Sequence, residues 1–164
     1  MSLPAYMYIY DENGSNIKGS CVALGREGAI EVMNSSYGVS QNTCSNTGSL
    51  IGTRQHNAFT LHKQIDKTSP YFANAVCQSK RLQKAVIHYY DINDAGKEYE
   101  IYRITLDSIV IMYANAAHSY IPGSNSPNML ESIGIRYGSI EWFYLDGNIK
   151  YEDEWNKAPK QNKQ

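Results

Sequence analysis

A chain of 164 residues with 15 basic and 16 acidic side chains, and a formal net charge of −1, suits one domain large enough to bury its own core. A near-neutral balance and a pI of about 6.4 give no sign of the clustered basic surface that nucleic acid or an acidic membrane requires. No apolar run approaches the roughly 18 residues that span a bilayer, so membrane insertion is not expected. At the N-terminus, MSLPAYMYIYDENG has no basic stretch followed by an apolar one. A general secretory signal is therefore not expected, and synthesis in the cytosol is. Residues 5–11 read as a first strand, with Tyr6, Tyr8 and Tyr10 on one face and Met7 and Ile9 on the other. Bulk on both faces suits a strand covered on two sides, and the composition agrees: 14 Tyr against 3 Phe and 2 Trp favour half-buried strand surfaces. Residues 12–15, Glu-Asn-Gly-Ser, are a turn.

Residues 29–33 have strand character, and Tyr37 and Val39 resume the alternation. Gly28 and Gly38 bracket this piece, as glycines at bends and bulges do. Residues 40–52 are almost wholly polar until Leu50, Ile51 and Gly52. So long a polar loop inside a compact domain is functional or disordered. Leu50 and Ile51 either anchor on a neighbouring molecule or tuck back onto their own barrel, and Gly48, Ser49, Leu50 and Ile51 are the candidates for contact with such a neighbour.

The stretch 54–76, RQHNAFTLHKQIDKTSPYFANAV, is where the architecture must be decided, because it joins a strand to the one helix. Over 53–65, Phe59, Leu61 and Lys63 share one face, while His56, Ala58, Thr60 and His62 share the other. A two-histidine metal site would need a third ligand that the local sequence does not offer, so ordinary strand histidines are expected. Ser69 suits an N-cap and Pro70 a first helical residue. The helix then runs over about 69–79 with Phe72, Ala75 and Val76 as its apolar stripe. So short a helix is stable only when that stripe is packed.

Residues 81–92 are a strand, and the loop at 93–96 ends in Gly96, suited to a left-handed turn position. The chain returns over 97–113, interrupted at Asp107-Ser108. Residues 114–128, with Pro122, Gly123 and Pro127, read as a second long loop. The last long strand covers 129–145, where Gly138 suits a bulge, and Asp146-Gly147 gives the strongest hairpin signal of the chain before 148–155 returns. The polar tail 157–164 is expected to fray, leaving 1–156 as a single domain.

Cys21, Cys44 and Cys77 are odd in number and have neither metal-knuckle nor redox-pair spacing, so free thiols in a reducing compartment are expected. Cys77 reads as a structural residue of the helix, since no His or Asp pattern marks it as a nucleophile. There is no GxGxxG, Walker A, HExxH or GxSxG pattern. The acidic pairs Glu98/Glu100 and Asp153/Glu154 read as solvated surface. No catalytic residue, metal or cofactor is expected, and the chain does not read as an enzyme.

About seven strands and one short helix predict a mainly β fold, a two-sheet antiparallel barrel with the helix on an open end or flank. Within it, Arg54-Gln55-His56, Phe59-Thr60-Leu61-His62-Lys63 and Asp66-Lys67-Thr68-Ser69-Pro70 resemble the signature of the haemolysin-coregulated protein family, which forms the inner tube of the bacterial type VI secretion system. Ala5-Tyr6-Met7, Gly28-Ala29-Ile30-Glu31-Val32, and the run from Arg136 through Trp142 to Trp155 are similar to the family's first, second and closing strands. The resemblance covers nearly the whole chain. It implies a phage tail-tube-like fold and a hexameric ring, and it makes Arg54, His56, Lys63, Asp66, Ser69 and Pro70 a corner that shapes the subunit. The 40–52 loop matches the family poorly, and no fused effector domain is expected at the C-terminus.

The function expected on this resemblance is structural. A heterologous interface closes the ring, and unlike faces stack rings into a tube. Partners would be other copies, the sheath and spike of the system, and effector cargo. The protein would be made in the bacterial cytoplasm and leave through the type VI system itself. The alternative is a small-molecule-binding barrel with aromatics lining a cavity. Against that, the tyrosines fall on both faces of several strands.

Overall fold

The computed structural model describes residues 3–156, and within them twelve strands and one helix. The expected tail, 157–164, lies outside the described residues. In chain order the elements are β1 (Ala5–Tyr10), β2 (Asn16–Ile17), β3 (Ile30–Val32), β4 (Asn34–Ser36), β5 (Val39–Ser40), β6 (Gln55–His56), β7 (Phe59–Gln64), α1 (Ser69–Cys77), β8 (Arg81–Ile92), β9 (Glu98–His118), β10 (Met129–Arg136), β11 (Ser139–Tyr144) and β12 (Ile149–Glu154). Every strand pairing is antiparallel.

The main sheet runs β2-β1-β8-β9-β10-β7-β4, with β3 on β1 and the β11–β12 hairpin on β9. Only Met33 separates β3 from β4, and its N–H donates to His62 O at 2.9 Å. One stretch, 30–36, thus pairs with β1 through its first half and with β7 through its second. The inward faces follow the alternation. Met7 and Ile9, Phe59 and Leu61, Ala85 and Ile87, Ile104 and Leu106, and Ile133 and Ile135 are fully buried in one cluster. Full burial of one such aliphatic or aromatic side chain contributes about 1.5–3 kcal/mol. Phe72 and Ala75 fasten α1 to this cluster, chiefly over β9.

Several expectations need correction. β9 runs unbroken through Asp107-Ser108 and continues past Tyr113 to His118, so the second long loop is shorter than the sequence suggests. Ser108 takes a left-handed φ of 53°, and Gly138 N–H donates to both Asp107 O and Ser108 O, at 2.9 and 3.1 Å. Opposite this bulge the expected last strand breaks at Tyr137-Gly138 into β10 and β11. β9 pairs with β11 before the bulge and with β10 after it, so the two irregularities bend the sheet together. The expected strand over 53–65 also breaks, at Asn57-Ala58. This break removes His56 from the face of Thr60 and the exposed His62 and buries it. Ser69 is not the N-cap. Thr68 occupies that position without a side-chain cap bond, and Asp66 takes over the duty by accepting the Thr68 N–H at 2.9 Å. Cys77 is exposed at the helix end, so packing does not explain it. All three cysteines are free.

Gly19 marks a close approach. A Cβ there would sit 2.3 Å from Ala29 O, and the Gly19 N–H already donates to Gly28 O at 2.9 Å. Backbone, not a flexible side chain, blocks the space. Gly19→Ala is therefore expected to cost about 1–3 kcal/mol in urea unfolding, as overpacking does. An unchanged midpoint would mean that the 18–29 loop is free to move away.

Candidate functional site

Residues 39–56 form an arm that stands off the main sheet. Its base is the two-stranded sheet of β5 and β6, with Val39 opposite His56 and Ser40 opposite Gln55. Beyond it, Ile51 N–H donates to Asn42 O at 2.8 Å, Thr43 bridges Leu50, and Cys44 N–H donates to Ser49 O at 2.8 Å. Gly48 turns the chain with φ +73°, a left-handed value that glycine adopts without strain. The stretch expected to be a bare polar loop is thus an irregular hairpin. It carries no charged side chain from 32 to 53. Leu50 is 73% and Ile51 53% exposed, so neither tucks back onto its own sheet.

The base of the arm is fixed by a polar cluster. Arg54 grips Asp153 with two bonds, Nε to Oδ2 at 2.5 Å and Nη2 to Oδ1 at 2.8 Å, and reaches Glu154 O with Nη2 at 2.8 Å. His56 contacts the same Asp153 Oδ2 through Nε2 at 2.7 Å and the Tyr137 hydroxyl through Nδ1 at 2.9 Å. Its ring stacks against Trp155 at 5.6 Å and Trp142 at 6.3 Å. Burial alone would raise the Asp153 carboxyl, but hydrogen bonds from Arg54 and His56 outweigh it and hold the group below the usual carboxylate range. Burial, aided by the Asp153 charge, pushes the Tyr137 hydroxyl up to about 12.

A second cluster lies under the turn from β7 into α1. Lys63 is fully buried, and its Nζ lies 2.9 Å from Glu131 Oε2, 3.1 Å from Asp66 Oδ1, 3.1 Å from Ser69 Oγ and 3.2 Å from Gln64 O. Ser69 Oγ in turn donates to Glu131 Oε2 at 2.8 Å and accepts the Asp66 N–H at 3.0 Å. Thr68 Oγ1 donates to Asp66. Burial would raise the Asp66 carboxyl; Thr68 and the Lys63 ammonium overcome that and lower it. The ammonium also lies 5.4 Å from the Phe72 ring centre.

The structure therefore splits the six residues of the sequence motif. Arg54 and His56 belong to the arm base, and Lys63, Asp66 and Ser69 to the buried corner. Pro70 starts the helix on its exposed side. Glu131, Tyr137, Asp153 and Trp155 complete the two clusters and were not among the site candidates read from the sequence. Asp153 and Glu100 are not the solvated surface expected, whereas Glu98 is exposed. Glu100 binds His88 at 2.7 Å and Arg103 at 2.8 Å, and Glu98 binds Arg26 at 2.6 Å. One signal for Asp153 was present: it shares strand parity with Ile149 and Tyr151, on the face opposite Lys150 and Glu152. No group of metal-binding side chains occurs among the described residues, and no helix there is long and apolar enough to cross a membrane.

The family model described as type VI secretion system effector, Hcp, matches residues 6–144. The chain belongs to the Hcp family. Among solved structures, a mutant of Hcp1 from the E. coli EAEC 042 pathovar is 37% identical with a TM-score of 0.85; the match covers 94% of this chain and 99% of that one. The secreted protein Hcp3 from Pseudomonas aeruginosa is 22% identical with a TM-score of 0.76, over 95% of this chain and all of that one. A further Hcp protein, 18% identical, reaches a TM-score of 0.86 over 96% of this chain and so shares the fold. No curated protein sequence matches the chain. The mainly β, antiparallel fold with one short helix is thus the Hcp fold, and the type VI secretion context follows from the family.

Proposed function

We propose that the chain is a subunit of the type VI inner tube: copies close into hexameric rings, the rings stack, and the tube leaves the cell through the system with effector cargo or as its carrier. The observation that carries this reading is the arm. Its far half leaves Leu50 and Ile51 largely exposed, yet its base is held by a bidentate ion pair and a buried histidine. A rigid support under an apolar, uncharged tip is what a contact with another copy needs. Sheath, spike and cargo are the further partners on this reading, and export without a signal peptide is its route. The interior gives the small-molecule alternative little room, since aliphatic side chains and Phe59 fill it.

Purified protein is expected to show ring particles in negative-stain electron microscopy. Deleting Gly48 to Ile51 should weaken assembly and leave the monomer's melting temperature within about 2 °C, because surface changes away from the core usually stay within ±0.5 kcal/mol. A monodisperse monomer at all concentrations would sink the tube reading. A deletion that unfolds the monomer would show that the arm belongs to the fold.

A further inference from the structure

The β11–β12 hairpin extends past the core that its strands begin on. Its inward face can be read off the register: Trp142 lies opposite Ile104 of β9 and Tyr151 of β12, and Tyr144 lies opposite Tyr102 and Ile149. Ile104 is fully buried and Trp142 partly so, but one strand further out the cover ends. Ile149 is 64% and Tyr151 66% exposed, and Tyr144 is exposed beside them. Trp142 and Tyr151 stack at 5.8 Å, so this is an ordered aromatic face and not a set of loose side chains. The only carboxylate on the same face, Asp153, is already committed to Arg54 and His56. Among the described residues, what remains of the face is apolar, uncharged and largely exposed.

We propose that this face receives Leu50 and Ile51 from the arm of a neighbouring copy. The proposal rests on the tube reading and adds its receiving surface. Charge matching supports it, since the arm beyond its Arg54 base carries no charged side chain and the face offers none unpaired, whereas the outer face of the same hairpin bears Glu141, Lys150 and Glu152. Composition supports it too. Interface centres are rich in Tyr and Trp and poor in charge, as this face is. The subunit's own arm does not fill it. The arm begins beside the face, where His56 stacks on Trp142, yet both apolar tips and the far edge of the face stay exposed. Each copy thus offers one plug and one unfilled face. Two different patches on one chain give a heterologous contact, which propagates around a ring or along a stack.

Single-cysteine proteins test this. In a background with Cys21, Cys44 and Cys77 changed to Ser, the Ile51→Cys and Tyr151→Cys variants are co-expressed with different tags and oxidised mildly. A covalent dimer carrying both tags is expected, at least tenfold more abundant than with Val22→Cys as the exposed control in place of Tyr151→Cys. Equal yield with the control overturns the proposal. Ring particles without the mixed dimer overturn the receiving face and leave the tube reading standing. Absence of rings and dimer alike removes both. A chain carrying both cysteines that closes on itself as a monomer would give the face to its own arm, again overturning the proposal. As an independent readout, Tyr151→Arg should abolish the mixed contact and lower the assembled fraction at least tenfold, with the monomer's melting temperature unchanged. Unchanged assembly would count against it.

Discussion

Replacing Lys63 with methionine is expected to destabilise the subunit by about 3–5 kcal/mol, the usual cost of removing one partner from a buried ion pair. Lys63 and Glu131 face each other directly across β7 and β10, and both are buried. Without the ammonium, Glu131 keeps the Ser69 hydroxyl as its partner in the corner, and Asp66 is left nearby with its own charge. Two carboxylates would then share one poorly solvated site. The Lys63→Met/Glu131→Leu double variant should cost clearly less than the sum of its singles, since it leaves no orphaned charge in the pair. Urea unfolding of the four proteins gives the coupling energy, expected at about 2 kcal/mol or more. A cost below about 1 kcal/mol for Lys63→Met would mean that water reaches the corner.

This corner also shows where the sequence was informative. The alternation Phe59, Leu61, Lys63 placed the lysine on the apolar face, which is where the structure buries it. The family resemblance grouped Asp66 and Ser69 with it in one corner. The sequence did not show that Ser69 would turn inward and leave the cap position to Thr68, because Ser-Pro at a helix start is locally satisfied by a cap. The competing demand came from Glu131, 62 residues away, whose oxygen the hydroxyl serves. A long-range partner overrode a local preference.

The same division holds for the strands. The long elements were legible from period-two apolar alternation, as in β1, β8 and β10. The break at Asn57-Ala58 was not, and Gly138 marked a bulge but not a full break, because each bend belongs to a pair of strands and only half of the pair is local. Ser108 had no glycine to mark its left-handed conformation, so β9 read as two pieces. The arm's pairing rests on backbone bonds between polar residues, which leave no apolar period to read. Its lack of charge before Arg54 was visible, and that feature bears on the assembly proposed above.

Acid is expected to loosen the β11–β12 hairpin from the arm base before the core unfolds. Asp153 holds Arg54, His56 and, through them, β6. Its folded pKa lies below the ordinary 3.8, so its contribution is complete above that value and is lost as pH falls through the depressed one. Below that point a neutral Asp153 would leave the Arg54 guanidinium without its anion. Both tryptophans of the chain, Trp142 and Trp155, stack on His56, so intrinsic fluorescence reports this cluster directly. A red shift in emission is expected below pH 3.8 while the far-ultraviolet strand signal persists. Asp153→Asn should show that shift at neutral pH and lose the acid step. If the step survives in Asp153→Asn, another depressed carboxyl, Asp66 or Glu100, governs it instead. His56→Ala removes the buried ring that both indoles pack on and should cost about 2–4 kcal/mol, through a cavity and the lost Tyr137 and Asp153 contacts. Because the arm stands on this cluster, ring assembly should fail over the same pH window as the fluorescence step, and assembly that persists through it would separate the arm from its base.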